Sequence, residues 1–448
     1  MKNNSKKDLN LINLTWPIFV ETFLYMLLGN VDTLMLSRYS GDAVAAVGVS
    51  NQLMNMMIIM FAIISVGTSI LSAQYLGAGR KKDASKVTLV SLLVNLLFGI
   101  ILSIVMLIFS HTLLRLMNLP ENLMGYGTQF LSIVGGTLVI QALLMTITAI
   151  VRSHGHTKIS MYISIGMNIL NIIGNYILIF GHLGFSPMGV RGSATSTSIS
   201  RVIGLIILTV ILFAKIEKDI SMKLLSPFPT YILRNLFRIG IPSAGEQISY
   251  SLSQIAVTYF VSSLGTQALT TRVYVQNIVM FVYLFAVAIG QGTSILVGHL
   301  VGANDNDEAY HNCFRSLKYA LVISLAIGTI FAIFRVPLLH IFTMDKEIIA
   351  LGGIILIIDL ILEPGRATNL VVIGSLKAAG DVKFPVSMGI LSMWGISVVL
   401  SYLLGIKFGF GLIGIWIASA SDEWFRGIFM IWRWKTKRWE KMSFVKAS

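Results

Sequence analysis

The chain has 448 residues, of which 55% are hydrophobic and only 12% are charged, with a formal net charge of +14. A soluble domain carries about 25% charged residues, so this composition excludes an ordinary globular protein. Because the apolar residues run along nearly the whole length, the positive charge is expected in loops beside a lipid bilayer, and no nucleic-acid partner is predicted. The single cysteine, Cys313, excludes an intrachain disulfide.

About twenty apolar residues cross the hydrocarbon core of a bilayer as a helix. On that measure the sequence predicts an all-α integral membrane protein with 12 transmembrane helices. The predicted spans lie near 10–36, 52–76, 87–110, 127–150, 159–180, 189–214, 240–262, 275–300, 316–335, 348–376, 385–405 and 410–433.

The loop charges predict the orientation of these spans. With both termini in the cytoplasm, 24 of the 34 Lys and Arg residues, Lys6, Lys7 and Lys446 among them, fall on the cytoplasmic side and seven fall outside. Positive residues collect on the cytoplasmic side of membrane proteins. The bias therefore predicts a multi-pass protein of the cell membrane, here the bacterial plasma membrane, with both ends inside.

The sequence repeats itself at an offset of 225 residues: GTSIL at 67–71 returns at 292–296. Other matched pairs are Pro17 and Pro242, Glu21 and Glu246, Arg152 and Lys377, and Gly155 and Gly380. Each half holds six spans, so the halves share one orientation and a pseudo-two-fold axis along the membrane normal. We predict an N-terminal six-helix lobe over 1–225, and a C-terminal six-helix lobe over 226–448 that ends in a short basic cytoplasmic tail.

Two such bundles suit alternating access, in which they rock around a site between them, and this favours a secondary transporter. The sequence contains no P-loop, no nucleophile elbow, no H-E-x-x-H pair and no Cys/His cluster. We therefore expect neither an enzyme nor an ATP-driven pump, and no cofactor.

Charged groups inside the spans are the first functional candidates, because a charge at the bilayer centre costs about 2.5–3.5 kcal/mol. Asp32, in the first span, could hold and release a proton or be one ligand of Na+; a structural hydrogen bond is the alternative. Asn171 and Asn175 share one face of the fifth span, and Thr197 offers a hydroxyl in the sixth. A carboxylate with amide and hydroxyl groups is a plausible proton or hard-cation site, and no other metal site is predicted.

Other candidates could line a substrate cleft or form buried structural pairs. They are Glu21, Glu246, Asp359, Glu363 and Arg366, of which the last three share a face of the tenth span. Pro17 lies inside the first span, where it bends the helix as a hinge or as a static kink.

The order of several segments resembles the multidrug and toxic compound extrusion (MATE) family over nearly the full length. The matching segments are WPIFVETFLYMLLGNVDTLMLSR, AAVGVSNQ, GTSILSAQYLGAG, NIIGNYILIFG, GVRGSA, GIPSAGEQ, QGTSILVGHLVGA and EPGRATNLVVIGSLKAAGD. The resemblance implies a V-shaped pair of six-helix lobes. It also implies export of organic, often cationic, compounds in exchange for inward protons or Na+.

In this family the VDT aspartate, Asp32 here, binds the coupling ion. Its family partners match Asn171, Asn175 and Thr197, and the family's bending proline matches Pro17. Some relatives carry a second acid at Asn175, and its absence here favours proton coupling.

Sodium-coupled relatives of the NorM type carry acids where this chain has Tyr250 and Arg366. The partners expected are small organic cations and the lipid bilayer, and the chain is expected to act as a monomer. The alternatives are a flippase or exporter of a lipid-linked or metabolite substrate and, less favoured, a membrane-embedded enzyme.

Overall fold

The structure, a computed structural model, describes residues 10–218 and 220–445. Lys6, Lys7 and Lys446, which contribute to the predicted charge bias, lie outside these residues. Every regular element in the described part of the chain is a helix, so the prediction of an all-α fold is confirmed.

The described residues of the first half form seven α-helices. They are α1 (Leu11–Ser37), α2 (Gly41–Gly77), α3 (Lys81–Leu116), α4 (Glu121–Phe130), α5 (Leu138–Ser153), α6 (Thr157–Phe180) and α7 (Val190–Ile211). π-Helical turns at Leu131–Gly135 and Leu212–Ile216 extend α4 and α7, and the connector contains a short 3-10 helix at Met222–Leu225.

The second half, as far as residue 445, also forms seven α-helices. They are α8 (Thr230–Ser263), α9 (Thr266–Gly302), α10 (Asn306–Ile333), α11 (Arg335–His340), α12 (Lys346–Ala379), α13 (Lys383–Ser392) and α14 (Gly411–Lys435). π-Helical segments at Met393–Val398 and Ser401–Lys407 continue α13, and a 3-10 helix at Arg438–Lys441 follows α14.

Among the described residues, nine helices are long and apolar enough to cross a membrane. The α4–α5 pair, which bends by 46° where Gly135 meets Leu138, makes a tenth candidate. The remaining two predicted spans correspond to α8 and α14. Both are long enough to cross a bilayer, but charged residues make them more polar.

The helices reproduce the internal repeat. Helix α2 and helix α9 each have 37 residues, and their first residues, Gly41 and Thr266, are 225 positions apart. One difference stands out: the span that α4 and α5 form in two pieces is a single helix, α12, in the second half.

The chain divides into two compact units. The N-terminal unit comprises 16–76 and 80–240, and the C-terminal unit comprises the described parts of 1–15, 77–79 and 241–448. In the N-terminal unit α3 packs along α5 and α6 packs along α7. In the C-terminal unit α12 is central and packs against α9, α10 and α14.

Two glycines let neighbouring helices approach closely at the polar residues described below. A Cβ atom on Gly192 of α7 would lie 2.6 Å from the carbonyl oxygen of Leu178 on α6. In the C-terminal unit, a Cβ on Gly365 of α12 would lie 3.2 Å from the Cβ of Glu423 on α14. Larger residues at either position would separate the helices that carry the polar side chains.

Candidate functional site

The N-terminal unit brings together four predicted site residues from three helices. The Asn175 side-chain nitrogen donates a hydrogen bond to Asp32 Oδ1 at 2.6 Å and another to Asn171 Oδ1 at 3.1 Å. The Asn171 side-chain nitrogen donates to Thr197 Oγ1 at 3.0 Å. Because Asn171 and Asn175 are four residues apart on α6, both face α1 and α7.

The hydrogen bonds of the Asn171 amide with Asp32 and Thr197 are better satisfied in the reverse orientation. Turned the other way, its nitrogen donates to Asp32 Oδ1 at 2.8 Å, and its oxygen accepts from Thr197 Oγ1 at 3.0 Å and from the Thr197 backbone N–H at 3.2 Å. A carboxylate only accepts hydrogen bonds, whereas a protonated carboxyl also donates one. The orientation that directs the Asn171 nitrogen at Asp32 Oδ1 therefore suits an ionised carboxylate.

Asp32 has no basic side chain within ion-pair distance among residues 10–218 and 220–445. Arg201 of α7 interacts with Asp32 electrostatically without an ion-pair contact. The Arg201 Nη1 atom is buried and has no hydrogen-bond partner in the described structure. The Asp32 carboxyl is thus polarised by a nearby positive charge but is not held by it.

Glu21 and Glu246 are each paired with a basic residue of their own unit. Arg152 Nη2 of α5 lies 2.7 Å from Glu21 Oε2, and Ser164 Oγ of α6 donates to Glu21 Oε1 at 3.1 Å. Lys377 Nζ of α12 lies 2.5 Å from Glu246 Oε2. Both glutamates are therefore neutralised by a partner in the same unit.

The C-terminal unit gathers charged residues from α12 and α14. Arg366 pairs with Glu363, and its Nε lies 3.5 Å from Glu423 Oε1. Arg426 Nη2 lies 3.0 Å from Glu423 Oε2 and 3.0 Å from Asp422 Oδ2. Glu423 is thus shared between the two arginines.

One carboxyl oxygen of this cluster, on Glu363, lacks a hydrogen-bond partner among the described residues. Trp416 Nε1 donates to Asp359 Oδ1 at 3.1 Å, and Glu363 Oε2 is buried with no hydrogen-bond partner among the described residues. The cluster holds four carboxyl groups and two guanidinium groups. Burying unpaired carboxylates is costly, so the excess acids have to bind protons or another cation.

Asp359, Glu363 and Arg366 lie together, as their spacing predicts. Arg201 and Arg426 are candidates that the sequence patterns miss, although both lie within spans and they are 225 positions apart. The acidic neighbour of Arg201, Asp32, lies on another helix, so the role of Arg201 depends on packing. Asp422 and Glu423, in contrast, lie four and three residues before Arg426 on α14, a local spacing that could have indicated these pairs.

A repeated six-helix unit with charged groups inside apolar spans is the architecture of a membrane transporter. The MatE family model matches the chain twice, over residues 17–177 and 242–403, once in each half. The chain belongs to the MatE family, the multidrug and toxic compound extrusion transporters. The resemblance predicted from sequence is therefore confirmed, and members of this family are transporters rather than enzymes.

The chain is similar to curated and solved members of this family. It is 50% identical to "Uncharacterized transporter YisQ" of Bacillus subtilis (strain 168), over 98% of this chain and 96% of that protein. It is 27% identical to "Probable multidrug resistance protein NorM" of Thermotoga maritima, over 96% of this chain and 93% of that protein. A solved structure, "Crystal structure of MATE in the bent conformation", matches with a TM-score of 0.88 at 21% identity, covering 99% of this chain and 98% of that one.

Proposed function

We propose that this protein is a secondary antiporter that exports small organic cations in exchange for inward protons, and that Asp32 binds the proton. The observation that carries the proposal is a carboxyl inside an apolar span that contacts the neutral amide of Asn175 and no basic side chain within the described residues. A permanent ion pair would hold Asp32 ionised. Its absence leaves the carboxyl able to load and unload.

One feature favours the proton over Na+. The Asn175 side chain directs an N–H group at the Asp32 carboxyl, whereas a metal ion there would need an oxygen lone pair. Arg201 places a positive charge near Asp32, which stabilises the bare carboxylate and so opposes a bound proton and a bound Na+ alike. Asn171 and Thr197 complete the proposed proton site.

In the proposed cycle, Asp32 takes up a proton from outside while the drug leaves. Protonation changes the contacts of α1, and Pro17 serves as the hinge at which the helix bends. Drug binding from the cytoplasmic side then favours proton release and the return step. Each ligand has to bind the two states with different affinity, because otherwise no coupling results.

The organic cation is proposed to bind at the charged cluster of the C-terminal unit. Asp359 and Glu363 supply negative charge that the two arginines do not neutralise, and the partly exposed Arg366 modulates it. Glu21 and Glu246 stay predictions for the substrate cleft, although their basic partners favour a role in holding helices together. The proposal also places both termini in the cytoplasm of a monomer in the bacterial plasma membrane.

Transport by purified protein in proteoliposomes, under an imposed proton or Na+ gradient, tests the proposal. A proton gradient alone should drive uptake of an organic cation such as ethidium, and Asp32→Asn should abolish this uptake because the variant cannot ionise. Asp32→Glu should retain part of it. The amount of folded protein, measured by size-exclusion chromatography, controls for assembly, and normal transport by folded Asp32→Asn would refute the proposal.

A further inference from the structure

The two units carry the same ion pair at equivalent places. Glu21 and Glu246 are 225 residues apart, and so are their partners Arg152 and Lys377. A third residue of this contact also repeats at the offset of 225. Ser164 donates a hydrogen bond to Glu21, and the equivalent residue, Gly389, lies beside Glu246. A Cβ atom on Gly389 would lie 3.2 Å from Glu246 Oε1. The repeat therefore preserves a three-helix contact.

In the N-terminal unit this contact shares a helix face with the proposed proton site. Glu21 and Asp32 are eleven residues apart on α1, which is about three turns and 16 Å along the axis. Ser164 and Asn175 are also eleven residues apart, on α6. Helices α1 and α6 are thus joined at two levels in one register, by Glu21–Ser164 and by Asp32–Asn175.

The Glu21–Ser164 contact lies one turn after Pro17, which interrupts the backbone hydrogen bonding of α1. The part of α1 that carries Glu21 and Asp32 follows this interruption and is joined to α6 by both side chains. The contact of Asp32 changes with each protonation, so it cannot hold the register by itself. The Arg152–Glu21 pair involves no group that loads and unloads in the cycle, and it fixes the rotation of α1.

We propose that Glu21 is a positioning residue for Asp32: with Arg152 and Ser164 it holds α1 so that the ionised Asp32 carboxylate faces Asn175. This inference rests on the proposed coupling role of Asp32. Glu21 makes no contact with the transported ion and acts through the orientation of the helix.

The C-terminal unit supplies a matched control. The residues equivalent to Asp32 and Asn175 are Val257 and Leu400, which are both apolar. The Glu246–Lys377 pair therefore joins its helices with no ionisable group eleven residues further on. Loss of Glu21 and loss of Glu246 remove the same kind of contact, but only the first should alter proton binding.

The experiment compares Glu21→Gln with Glu246→Gln in proteoliposomes and measures the external pH at which transport is half-maximal. A misaligned Asn175 amide stabilises the Asp32 carboxylate less, so the Glu21→Gln midpoint should move upward by about one pH unit. The Glu246→Gln midpoint should stay within about 0.2 units of the wild type, whatever its rate. Arg201, the other charged group that acts on Asp32, is unchanged in every variant.

Two further variants keep the test independent of folding. Arg152→Lys, which copies Lys377, should keep the wild-type midpoint. Ser164→Ala removes one hydroxyl and should shift the midpoint in the direction of Glu21→Gln by a smaller amount, even if Glu21→Gln does not assemble. An unshifted midpoint in folded Glu21→Gln, or in Ser164→Ala alone where the former does not fold, overturns the inference. Normal transport by Asp32→Asn would instead overturn the coupling role itself.

Discussion

At the scale of single residues, a buried pair beyond the membrane spans offers a pH test of stability. The His154 Nδ1 lies 2.9 Å from the Ile150 carbonyl oxygen, so that nitrogen carries the proton in the neutral ring. The other ring nitrogen then faces Glu217 Oε1 at 3.6 Å as an acceptor. Two acceptors face each other unless the pair holds one more proton.

Burial favours the uncharged form of both side chains, Glu217 and His154. It raises the pKa of Glu217, against the hydrogen bonds that Thr88 and Ser85 donate. It also lowers the pKa of His154, with nearby Lys81 and His156 acting the same way against the Ile150 contact. Folding therefore shifts Glu217 toward its protonated form and His154 toward the neutral imidazole.

Glu217→Gln should raise the melting temperature by a few degrees at pH 8. Above the ordinary pKa of a glutamate the unfolded chain ionises while the folded chain resists, so Glu217 costs stability as pH rises through its raised pKa. Glutamine keeps an acceptor for the 2.7 Å bond from Thr88 and removes this cost. The gain should vanish near pH 4, where both states are protonated.

Thermal unfolding in detergent, followed by intrinsic fluorescence at several pH values, measures this difference. Asp83→Asn is a comparison at a partly buried carboxylate that pairs with Arg80 and Lys86, and it should show no such gain. A lower melting temperature for Glu217→Gln at pH 8 would mean that the folded protein holds Glu217 and His154 as a charged ion pair.

Residue-scale roles could be predicted where the reason is local. Asn171 and Asn175 repeat on one face of an apolar helix, and the structure places them beside Asp32 and Thr197. The partners of Glu21 could not be predicted, because Arg152 lies on a helix more than a hundred residues away. Pairing across helices depends on how the helices pack, and spacing along one helix carries no information about it.

At the scale of helices, the proposed hinge can be tested against its own repeat. Pro17 lies within α1, and Pro242 holds the matched position within α8. A proline inside a helix costs about 3 kcal/mol relative to alanine, so Pro17→Ala should straighten and stiffen α1. We expect slower transport with an equal or higher melting temperature.

Pro242→Ala should raise stability similarly and slow transport less, because α8 carries no counterpart of Asp32. Initial transport rates in proteoliposomes, set beside melting curves of both variants, measure the contrast. Equal rates for Pro17→Ala and the wild type would mean that the kink is static.

Hydropathy predicts the positions of apolar spans well and predicts less well the spans that contain charged side chains. The apolar stretches of α2, α9 and α12 are long enough for hydropathy alone to predict these helices as membrane spans. The break between α4 and α5 and the π-helical turns leave no clear mark in the hydropathy, since they depend on backbone packing. Helix α14 holds Asp422, Glu423 and Arg426, and these charges both lower its hydropathy and form the cluster.

At the scale of the whole molecule, the repeat predicts two like halves, and each half forms a compact unit with matching helices. The predicted domain boundary after residue 225 stays a prediction. What the repeat does not predict is the divergence of the two halves. The N-terminal unit keeps one carboxyl among amides, and the C-terminal unit keeps four carboxyls among two arginines.

This divergence, combined with the antiport proposal, predicts that substrate binding releases protons. Binding free energies of two ligands are coupled reciprocally, so a cation that favours the unloaded state has to expel the proton of Asp32. A cation that binds beside Asp359 and Glu363 also displaces protons there. Purified protein in weak buffer, mixed with ethidium and a pH indicator, should therefore release protons in proportion to the substrate bound.

Two sets of variants separate the contributions of the units. Asp32→Asn resembles the protonated residue, so it should bind substrate more weakly; with substrate at saturation it should release about one proton fewer per bound substrate, because one titrating carboxyl is absent. The double variant Asp359→Asn with Glu363→Gln should bind the cation about tenfold more weakly, since it loses the uncompensated negative charge. If Asp32→Asn releases as many protons per bound substrate as the wild type, substrate binding is not coupled to the protonation of Asp32. The proposed exchange of a proton for the drug would then be wrong.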